Sequence, residues 1–396
     1  MNNQDMLKEN KKYIMDTYAS FPIALEKGEG SYVWDFEGKK YLDFVAGIAV
    51  NCLGYNDSEF IENITEQLKK IQHCSNLYLN KPSIDLAKIL VENSDFDKVF
   101  FCNSGAESVE AALKLCRKYG NTKKGEHAYE IITMKNSFHG RTLGTITATG
   151  QEKYQEGFGP LLPGVKYVEY NDFEALEKTV NENTCAVVLE AIQGEGGVNP
   201  ANKEYLQKVR ALCDEKDIVM VFDEVQTGIG RTGKLFGYQV HGVKPDVVSL
   251  AKGLGGGIPI GAMMAVDKVA EVFEPGNHAS TFGGNPISTT AGLTVLDRLL
   301  NGGLLENAET QGEYLRERLE LLKEKYSIIK DIRGVGLIQG IELSINGSEV
   351  VGKCMEKGLL LVGAGANVVR FVPPLIITHE EIDEAMDILD KSLSEI

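Results

Sequence analysis

Residues 250–262 read LAKGLGGGIPIGA, so that Lys252 ends an apolar run and opens a glycine-rich turn. Upstream, residues 218–226 read IVMVFDEVQ, and there Asp223 ends the apolar run. Both runs have the composition of buried strands, and about one strand–helix unit separates them. In open α/β sheets, ligands bind beyond the carboxyl ends of the strands. The two stretches therefore predict a sheet that carries Lys252 and Asp223 at the same edge.

An amine and a carboxylate at one sheet edge are the groups that pyridoxal phosphate chemistry requires on either side of the cofactor. The amine of Lys252 would form the Schiff base, and the carboxylate of Asp223 would keep the pyridine nitrogen protonated so that the ring accepts electrons. The plain alternatives are a solvated loop lysine and an aspartate that caps a helix or forms a turn. The strand ends and the glycine-rich turn favour the catalytic interpretation of both residues.

Apolar runs of strand length alternate with helical patterns through the middle of the chain. The predicted strands are Lys98–Cys102, Glu130–Met134, Gly164–Val168, Ala186–Ala191, Ile218–Asp223, Val247–Ala251 and Gly261–Val266. Helical spacing at Glu107–Tyr119 and at Lys203–Lys216 fits between several of these strands. The alternation predicts a large α/β domain, whose mostly parallel sheet is flanked by helices on both faces.

After Asn285 the pattern changes to that of a smaller α+β unit. A helical stretch is predicted to run to about residue 325. Short strands at Gly336–Leu343, Leu359–Val362 and Val368–Phe371 and a last helix at His379–Leu393 follow. A hairpin over Ala24–Phe44 is expected to complete this unit. We therefore assign residues 51–294 to the large domain, and residues 1–50 with 295–396 to the small domain.

Two further segments follow predicted strands and suit a phosphorylated aromatic ligand. Residues 103–107, NSGAE, open a helix whose free amides would bind a phosphate, and an ordinary helix cap at Ser104 is compatible with this. Residues 137–142, SFHGRT, place an aromatic ring and a cation beside a glycine. Phe138 would stack on a cofactor ring and Arg141 would bind a carboxylate, whereas a surface loop is the plain alternative.

Composition limits the classes of function. The 396 residues are 43% hydrophobic and 25% charged, as in ordinary globular proteins, and the formal net charge of -16 argues against nucleic acid or an anionic membrane as partner. No apolar run is long enough to span a membrane, and the seven cysteines form no CxxC pair, which favours reduced thiols and a cytoplasmic location. The histidines show no metal-ligand spacing, so we predict no metal. The GxGxxG match at residues 228–233 is discounted, because no convincing helix opens on it.

Together these motifs resemble the class III, fold type I aminotransferases. The resemblance covers nearly the whole chain, from residues 17–18 and 28–30 through 103–107, 137–142, 190–197, 222–233 and 250–262 to 280–286 and 370–375. It implies pyridoxal 5'-phosphate as the cofactor, a large PLP-binding α/β domain with a smaller α+β domain, and a homodimer with shared active sites.

The resemblance also implies a role for individual residues. Cofactor-binding residues would be Ser104, Gly105, Ala106, Phe138, His139, Asp223, Gln226, Lys252 and, from the neighbouring subunit, Thr281. Substrate-binding residues would be Tyr18, Ile48, Arg141, Glu195, Ser280 and Arg370. Arg141 would bind the carboxylate of an acylated amino acid, and Arg370 would bind the α-carboxylate of glutamate or 2-oxoglutarate. Glu195 would be a switch that covers Arg370 while a ω-amine donor is bound.

The activity that the resemblance implies is transfer of the terminal amine of N2-acetyl-L-ornithine to 2-oxoglutarate, in arginine biosynthesis. Ornithine, succinylornithine and 4-aminobutyrate are alternative donors, and a racemase or mutase of the same fold is an alternative activity. Ile48 favours the acetylated donor, because an isoleucine offers no hydrogen bond to a free α-ammonium group. Leaving that group desolvated and unpaired would cost about a few kcal/mol.

Overall fold

The structure, a computed structural model, describes residues 2–396 of the chain. Its strands, numbered in chain order, are β1 (Leu25–Glu29), β2 (Tyr32–Asp35), β3 (Lys40–Asp43), β4 (Lys98–Cys102), β5 (Glu130–Met134), β6 (Val165–Val168), β7 (Thr184–Leu189), β8 (Ile192–Gln193), β9 (Asn199–Pro200), β10 (Val219–Asp223), β11 (Val247–Leu250), β12 (Gly261–Ala265), β13 (Ile329–Val335), β14 (Ile338–Leu343), β15 (Leu359–Leu360), β16 (Val362–Gly363) and β17 (Val368–Phe371).

The helices are numbered in the same way, and a single 3-10 turn at Lys252–Gly255 is left unnumbered. They are α1 (Asn3–Tyr13), α2 (Ala46–Ala49), α3 (Ser58–Lys70), α4 (Lys81–Glu92), α5 (Gly105–Lys124), α6 (Leu143–Ala148), α7 (Glu152–Gln155), α8 (Phe173–Thr179), α9 (Lys203–Lys216), α10 (Tyr238–His241), α11 (Asp267–Ala270), α12 (Pro286–Leu300), α13 (Leu304–Lys325), α14 (Gly347–Glu356) and α15 (His379–Leu393). Within the described residues, no helix combines the length and the apolar composition needed to cross a membrane.

The largest sheet has seven strands in the order β4-β12-β11-β10-β7-β5-β6. Strand β12 runs antiparallel to both of its neighbours, and the other pairs are parallel. Every residue of β7 and β10 is buried, which is expected for a sheet covered on both faces. The prediction of a mostly parallel sheet flanked by helices is confirmed.

Successive residues of β10 enter different parts of the core, because side chains alternate between the two faces of a sheet. Met220 and Phe222 belong to the larger apolar cluster, whereas Val219 and Val221 belong to a second cluster that packs against α5. Full burial of one such side chain stabilises the fold by about 1.5–3 kcal/mol. The central strands are thus held from both sides, and their ends form a rigid platform.

The strand polarity brings five loops to one edge of the sheet. Because β4, β5, β7, β10 and β11 are parallel, their carboxyl ends meet there, and the segments that follow them lie side by side. Asp223, the last residue of β10, pairs in register with Ser249 of β11, three positions before Lys252. The predicted proximity of the two strand ends is therefore observed.

Two four-stranded sheets are formed by strands from the N-terminal and C-terminal parts of the chain, in the orders β1-β2-β3-β15 and β13-β14-β17-β16. Strand β15 pairs in parallel with β3, with Leu359 opposite Leu42, so that the N-terminal strands join an element from the last forty residues or so of the chain. The division at residues 50/51 and 294/295 stays a prediction of the sequence.

Three local expectations differ from the structure. The helical stretch after Asn285 is two helices, because Gly303 lies at φ +76 between α12 and α13. Strand β13 was absent from the sequence prediction. Strand β7 ends at Leu189 rather than at Ala191, which leaves Glu190 beyond the end of the strand.

Candidate active site

A cavity of roughly 450 Å³ lies where the five loops meet. Of the residues predicted for the site, those that line it are Ser104, Gly105, Ala106, Phe138, His139, Arg141, Glu195, Asp223, Gln226 and Lys252. Five segments far apart in sequence thus converge on one space. The cavity also has walls that the sequence did not predict, from Val50, Val225 and residues 257–260.

Lys252 stands at the start of the 3-10 turn that follows β11. Its φ of +41 lies in the left-handed region, which costs a non-glycine residue about 1–2 kcal/mol. Burial lowers the pKa of its amine, and although Glu195 acts in the opposite direction, the positive charge of Arg370 lowers this pKa further. The neutral amine, which is the nucleophilic form, is thereby favoured relative to an exposed lysine.

Asp223 is held in place by two hydrogen bonds. Its Oδ1 accepts from the amide of Val225 at 3.0 Å, and its Oδ2 lies 2.7 Å from Nδ1 of the buried His139. A carboxylate only accepts, so Nδ1 of His139 carries the proton. Burial lowers the pKa of His139, but the hydrogen bond to Asp223 and its charge outweigh burial and leave this pKa raised. The pair presents a fixed, buried carboxylate to the cavity.

The N-terminus of α5 lines the cavity and presents its first main-chain amides there. Ser104 caps the helix by accepting from the amide of Glu107 at 3.2 Å, and Glu107 in turn accepts from the amide of Asn103 at 2.6 Å. Amides in the first turn of a helix have no partner within the helix and favour an anion. Gly105 is required here, because a Cβ would lie 2.7 Å from Cγ1 of Val225.

Arg370 lies fully buried on β17 and forms an ion pair at the cavity. Its Nη1 donates to Oε1 of Glu195 at 2.6 Å and to Oε1 of Gln226 at 2.9 Å. Gln226 also donates from Nε2 to Oε1 of Glu195 at 3.2 Å. Burial raises the pKa of Glu195, but the charges of Arg370 and Lys252 outweigh it, so this pKa is lowered. The resemblance implied that Gln226 binds the cofactor, and in the structure its side chain contacts the ion pair.

Two nitrogens of Arg370 remain without a protein partner. Nε and Nη2 are buried and form no hydrogen bond to any described residue. A guanidinium with two free donors on one side matches the fork geometry of a carboxylate. These two donors are therefore available to the carboxylate of a ligand.

Arg141 and Phe138 form an aromatic and cationic wall. The guanidinium of Arg141 lies 4.1 Å from the ring centre of Tyr154 and 5.5 Å from that of Phe138. The two rings meet edge to face at 5.8 Å. Tyr154, which the sequence analysis did not single out, thus orients an exposed arginine at the cavity mouth.

Five predicted residues do not line the cavity within one chain, and one of them, Arg370, contacts it through Glu195 and Gln226. Ser280 and Thr281 line a neighbouring cleft, and Oγ of Ser280 accepts from Nδ2 of Asn103 at 3.1 Å. Tyr18 is 79% exposed and Ile48 is 39% exposed, whereas Val50 reaches the cavity wall. The roles implied for Tyr18, Ile48, Ser280 and Thr281 stay predictions.

Comparison with known proteins gives a consistent result. Residues 13–393 match the family described as aminotransferase class-III. An acetylornithine aminotransferase of Caldanaerobacter subterraneus subsp. tengcongensis is 57% identical, over 99% of this chain and 100% of the relative.

Two solved structures share the fold over nearly their whole length. An N-acetylornithine aminotransferase of Stenotrophomonas maltophilia K279a has a TM-score of 0.85 and 37% identity, with 98% of each chain covered. An ornithine aminotransferase of Toxoplasma gondii, described with partial occupancy of PLP at its active site, has a TM-score of 0.96 and 33% identity. That match covers 100% of this chain and 95% of the other.

Proposed function

The chain belongs to the class-III aminotransferases, and on this basis we propose that it moves the terminal amine of N2-acetyl-L-ornithine to 2-oxoglutarate. The products would be N-acetyl-L-glutamate 5-semialdehyde and L-glutamate, in arginine biosynthesis. The observation that carries the proposal is the 2.6 Å ion pair of Glu195 with Arg370 in the cavity that holds Lys252. Such a pair suits a site that must accept two different substrates in turn.

Pyridoxal phosphate is the cofactor of the family, and the residues around the cavity fit it. The amides at the start of α5 suit its phosphate, and the buried carboxylate of Asp223 suits a protonated pyridine nitrogen. Lys252 supplies an amine of lowered pKa for its aldehyde, and Phe138 supplies a ring face. When bound, the cofactor supplies an electron sink for charge that develops at the substrate carbon.

The chain's own residues would then bind, orient and move protons. Nζ of Lys252 would take the proton from the amine-bearing carbon of the donor and return a proton to the acceptor in the second half of the cycle. Asp223, fixed by His139, would hold positive charge on the far side of the cavity. Arg141, oriented by Tyr154, would bind the carboxylate of the acylated donor.

The ion pair would decide which substrate fits. The reacting carbon of the ω-amine donor bears no carboxylate, so an uncovered Arg370 would attract the wrong end of the molecule. Glutamate does bear a carboxylate beside its reacting carbon, and this carboxylate would compete with Glu195 for Arg370, whose Nε and Nη2 donors have no protein partner. A paired arginine for one substrate and a free one for the other would let a single cavity serve both.

Replacing Glu195 with glutamine should therefore shift the balance between the two half-reactions. The amide keeps the size of the side chain but removes the charge that competes for Arg370. We expect the rate with glutamate to rise relative to the rate with N2-acetylornithine by about tenfold or more, the factor that 1.4 kcal/mol of lost pairing gives. Single-turnover rates with each substrate measure the ratio, and Glu324→Gln, an exposed change on α13, is the control. Equal changes in both half-reactions would contradict the switch.

The donor itself should be N2-acetylornithine rather than ornithine. The backbone resembles that of an ornithine aminotransferase, but the apolar walls near Val50 and residues 257–260 would leave a free α-ammonium group with little solvation. That penalty is about 1–3 kcal/mol, so we expect kcat/KM to favour the acetylated donor by at least about tenfold. Initial rates with 2-oxoglutarate and each of acetylornithine, ornithine and 4-aminobutyrate measure it.

A matched variant sharpens this comparison. Ile48→Tyr would place a hydroxyl at the position where ornithine-specific relatives are expected to carry a tyrosine, and it should narrow the gap between the two donors. If ornithine equals or exceeds its acetylated form in the unaltered protein, the ornithine activity replaces the one proposed here.

The proposed active unit is a homodimer in which Thr281 contributes to the site of the neighbouring subunit. Leu77 and Leu79 are 85% and 90% exposed, and Phe282, 60% exposed, packs against His73 in the same region. Asn76 connects the segment of Leu77 and Leu79 to that of Phe282, because its Nδ2 donates to the carbonyl of Gly283 at 2.9 Å. An apolar patch of this kind supports a subunit interface beside the cavity.

Thr281→Ala should then weaken cofactor retention and leave the dimer intact, because it removes one hydroxyl and no apolar contact. Thr310→Ala, on the exposed face of α13, is the control. Dialysis followed by cofactor quantification, together with sedimentation equilibrium, provides the measurement. A fully active monomer at high dilution would contradict the shared site.

The same proposal includes a cytoplasmic location. All seven cysteines are free thiols, and six of them, Cys52, Cys102, Cys116, Cys185, Cys213 and Cys354, are buried. Unpaired thiols are typical of proteins that work in a reducing compartment.

A further inference from the structure

Glu190 is a buried carboxyl group at the cavity for which the proposed reaction supplies no role. It is the first residue after β7, it is 6% exposed, and it lines the cavity. Its Oε2 accepts from the amide of Phe138 at 3.1 Å, and its Oε1 accepts from the amide of Gly194 at 3.3 Å. Each carboxylate oxygen thus holds the backbone of a different loop.

The two loops carry residues with different tasks. Phe138 belongs to the loop after β5 and forms the aromatic wall of the cavity. Gly194 precedes Glu195, and its carbonyl accepts from Nη1 of Arg370 at 3.1 Å. One carboxylate therefore connects Phe138 to the ion pair through a single residue, Gly194.

We propose that Glu190 is a positioning residue that holds the backbone of Phe138 and of Gly194 in one fixed arrangement, and so aligns the ring of Phe138 with the guanidinium of Arg370. The inference rests on the proposed function only for what the aligned groups bind. The link itself is a property of this chain with or without ligands.

A carboxylate suits this task because it accepts at both oxygens. A glutamine in the same place has one acceptor and one donor, so one of the two amides would face an N–H group. The two loops could then no longer be held at once. Glu190→Gln is therefore a disruptive change in spite of its nearly equal size.

The charges around Glu190 make the link sensitive to pH. Burial raises the pKa of its carboxyl group to about 8, and while the charge of His139 acts against burial, that of Asp223 adds to it. Lys252 and Tyr170 are the other titratable groups that interact with it. Because the pKa is raised, the carboxylate that accepts from both amides is fully formed only above this pH, and below it one oxygen becomes a donor.

Amide hydrogen exchange in the cofactor-free protein tests the link without any catalytic readout. In Glu190→Gln, measured above pH 8 where the unaltered protein carries the carboxylate, we expect exchange in the segments 136–141 or 192–198 to speed up by at least about tenfold, the factor that loss of a buried hydrogen bond gives. Glu224→Gln is the matched control, since Glu224 is also buried and accepts from the amides of Gly237 and Tyr238, both at 2.6 Å. In that control, the two segments should exchange at the rate of the unaltered protein.

A kinetic measurement on the loaded enzyme separates positioning from general stability. Glu190→Gln should raise KM for 2-oxoglutarate more than KM for the amine donor, because only the acceptor needs the guanidinium of Arg370 to bind its α-carboxylate. Glu224→Gln should leave the ratio of the two KM values unchanged. If Glu190→Gln does not fold, a pH series on the unaltered protein decides. Exchange in both segments, corrected for its intrinsic pH dependence, should slow as pH rises through about 8.

The outcomes distinguish this inference from the proposed function. Unchanged exchange in both segments of Glu190→Gln, or the same acceleration in Glu224→Gln, would overturn the positioning role. So would a flat corrected pH profile. Faster exchange in Glu190→Gln with no activity toward N2-acetylornithine in the unaltered protein would uphold the link and reject the proposed donor.

Discussion

Replacing Lys252 with alanine should lower kcat by roughly 10⁴ or more, since the change removes the nucleophile and the proton carrier together. The side chain has no substitute nearby, because the other cations at the cavity, Arg141 and Arg370, do not act as amines. The fold should persist, because the backbone at residue 252, with φ +41, is equally accessible to alanine and the turn is not destabilised by the change. Turnover with N2-acetylornithine and 2-oxoglutarate is the measurement.

Two comparisons make this result specific. Lys234→Ala changes an exposed lysine that pairs with Glu309, and it should leave turnover unchanged. Borohydride treatment of the unaltered protein should attach the cofactor to the peptide that contains Lys252. Label on a different lysine would refute the assignment, whatever the kinetic effect of the alanine variant.

The Asp223→Asn variant should retain the cofactor but lose activity by about 10²–10³. A neutral amide cannot stabilise a protonated pyridine nitrogen as the carboxylate would. The change also weakens the 2.7 Å contact with His139. Since Asp223 is what raises the pKa of His139 against the effect of burial, this pKa should fall in the variant.

Kinetics and titration together identify the cause of the loss. A His139 titration by NMR reports the local charge independently of turnover, and Asp223→Glu, which restores the charge, should recover part of the rate. Near-normal rates in Asp223→Asn would show that this carboxylate does not act on the cofactor. A low rate with an unchanged pKa of His139 would point to misfolding of the strand end instead.

The central sheet was predictable because its strands are short apolar runs that end at polar or glycine residues. Asp223 is the last residue of β10, as predicted, and Lys252 begins the turn after β11. Strand ends of one parallel sheet necessarily share an edge, so sequence order alone gave their proximity. The same argument applies to residues 103–106 after β4.

Glu190 was missed for an identifiable reason. The apolar run Ala186–Leu189 continues into Ala191 and Ile192, so the predicted strand extended past the glutamate and left it in the middle of an apolar segment. The backbone leaves the sheet at Leu189, which makes Glu190 a further strand-end residue at the cavity. A charged residue within an otherwise apolar run was the available signal.

Two other features depend on local backbone geometry that hydrophobic spacing does not encode. Strand β13 contains a register shift between Ile329 and Asp331, so its buried residues Ile329 and Ile332 are three apart and break the period of two. The short segment α2 (Ala46–Ala49) has four successive residues with positive φ, and there Ile48 is partly exposed while the following Val50 lines the cavity. The hydrophobic pattern of the sequence predicts neither feature.

The central claim is that one site takes an amine from N2-acetylornithine, holds it, and gives it to 2-oxoglutarate. Loaded enzyme mixed with N2-acetylornithine alone should release one equivalent of semialdehyde per active site and then stop. Later addition of 2-oxoglutarate should yield one equivalent of glutamate and restore the first reaction. Continuous product formation without an acceptor, or no semialdehyde at all while ornithine reacts, would contradict the account.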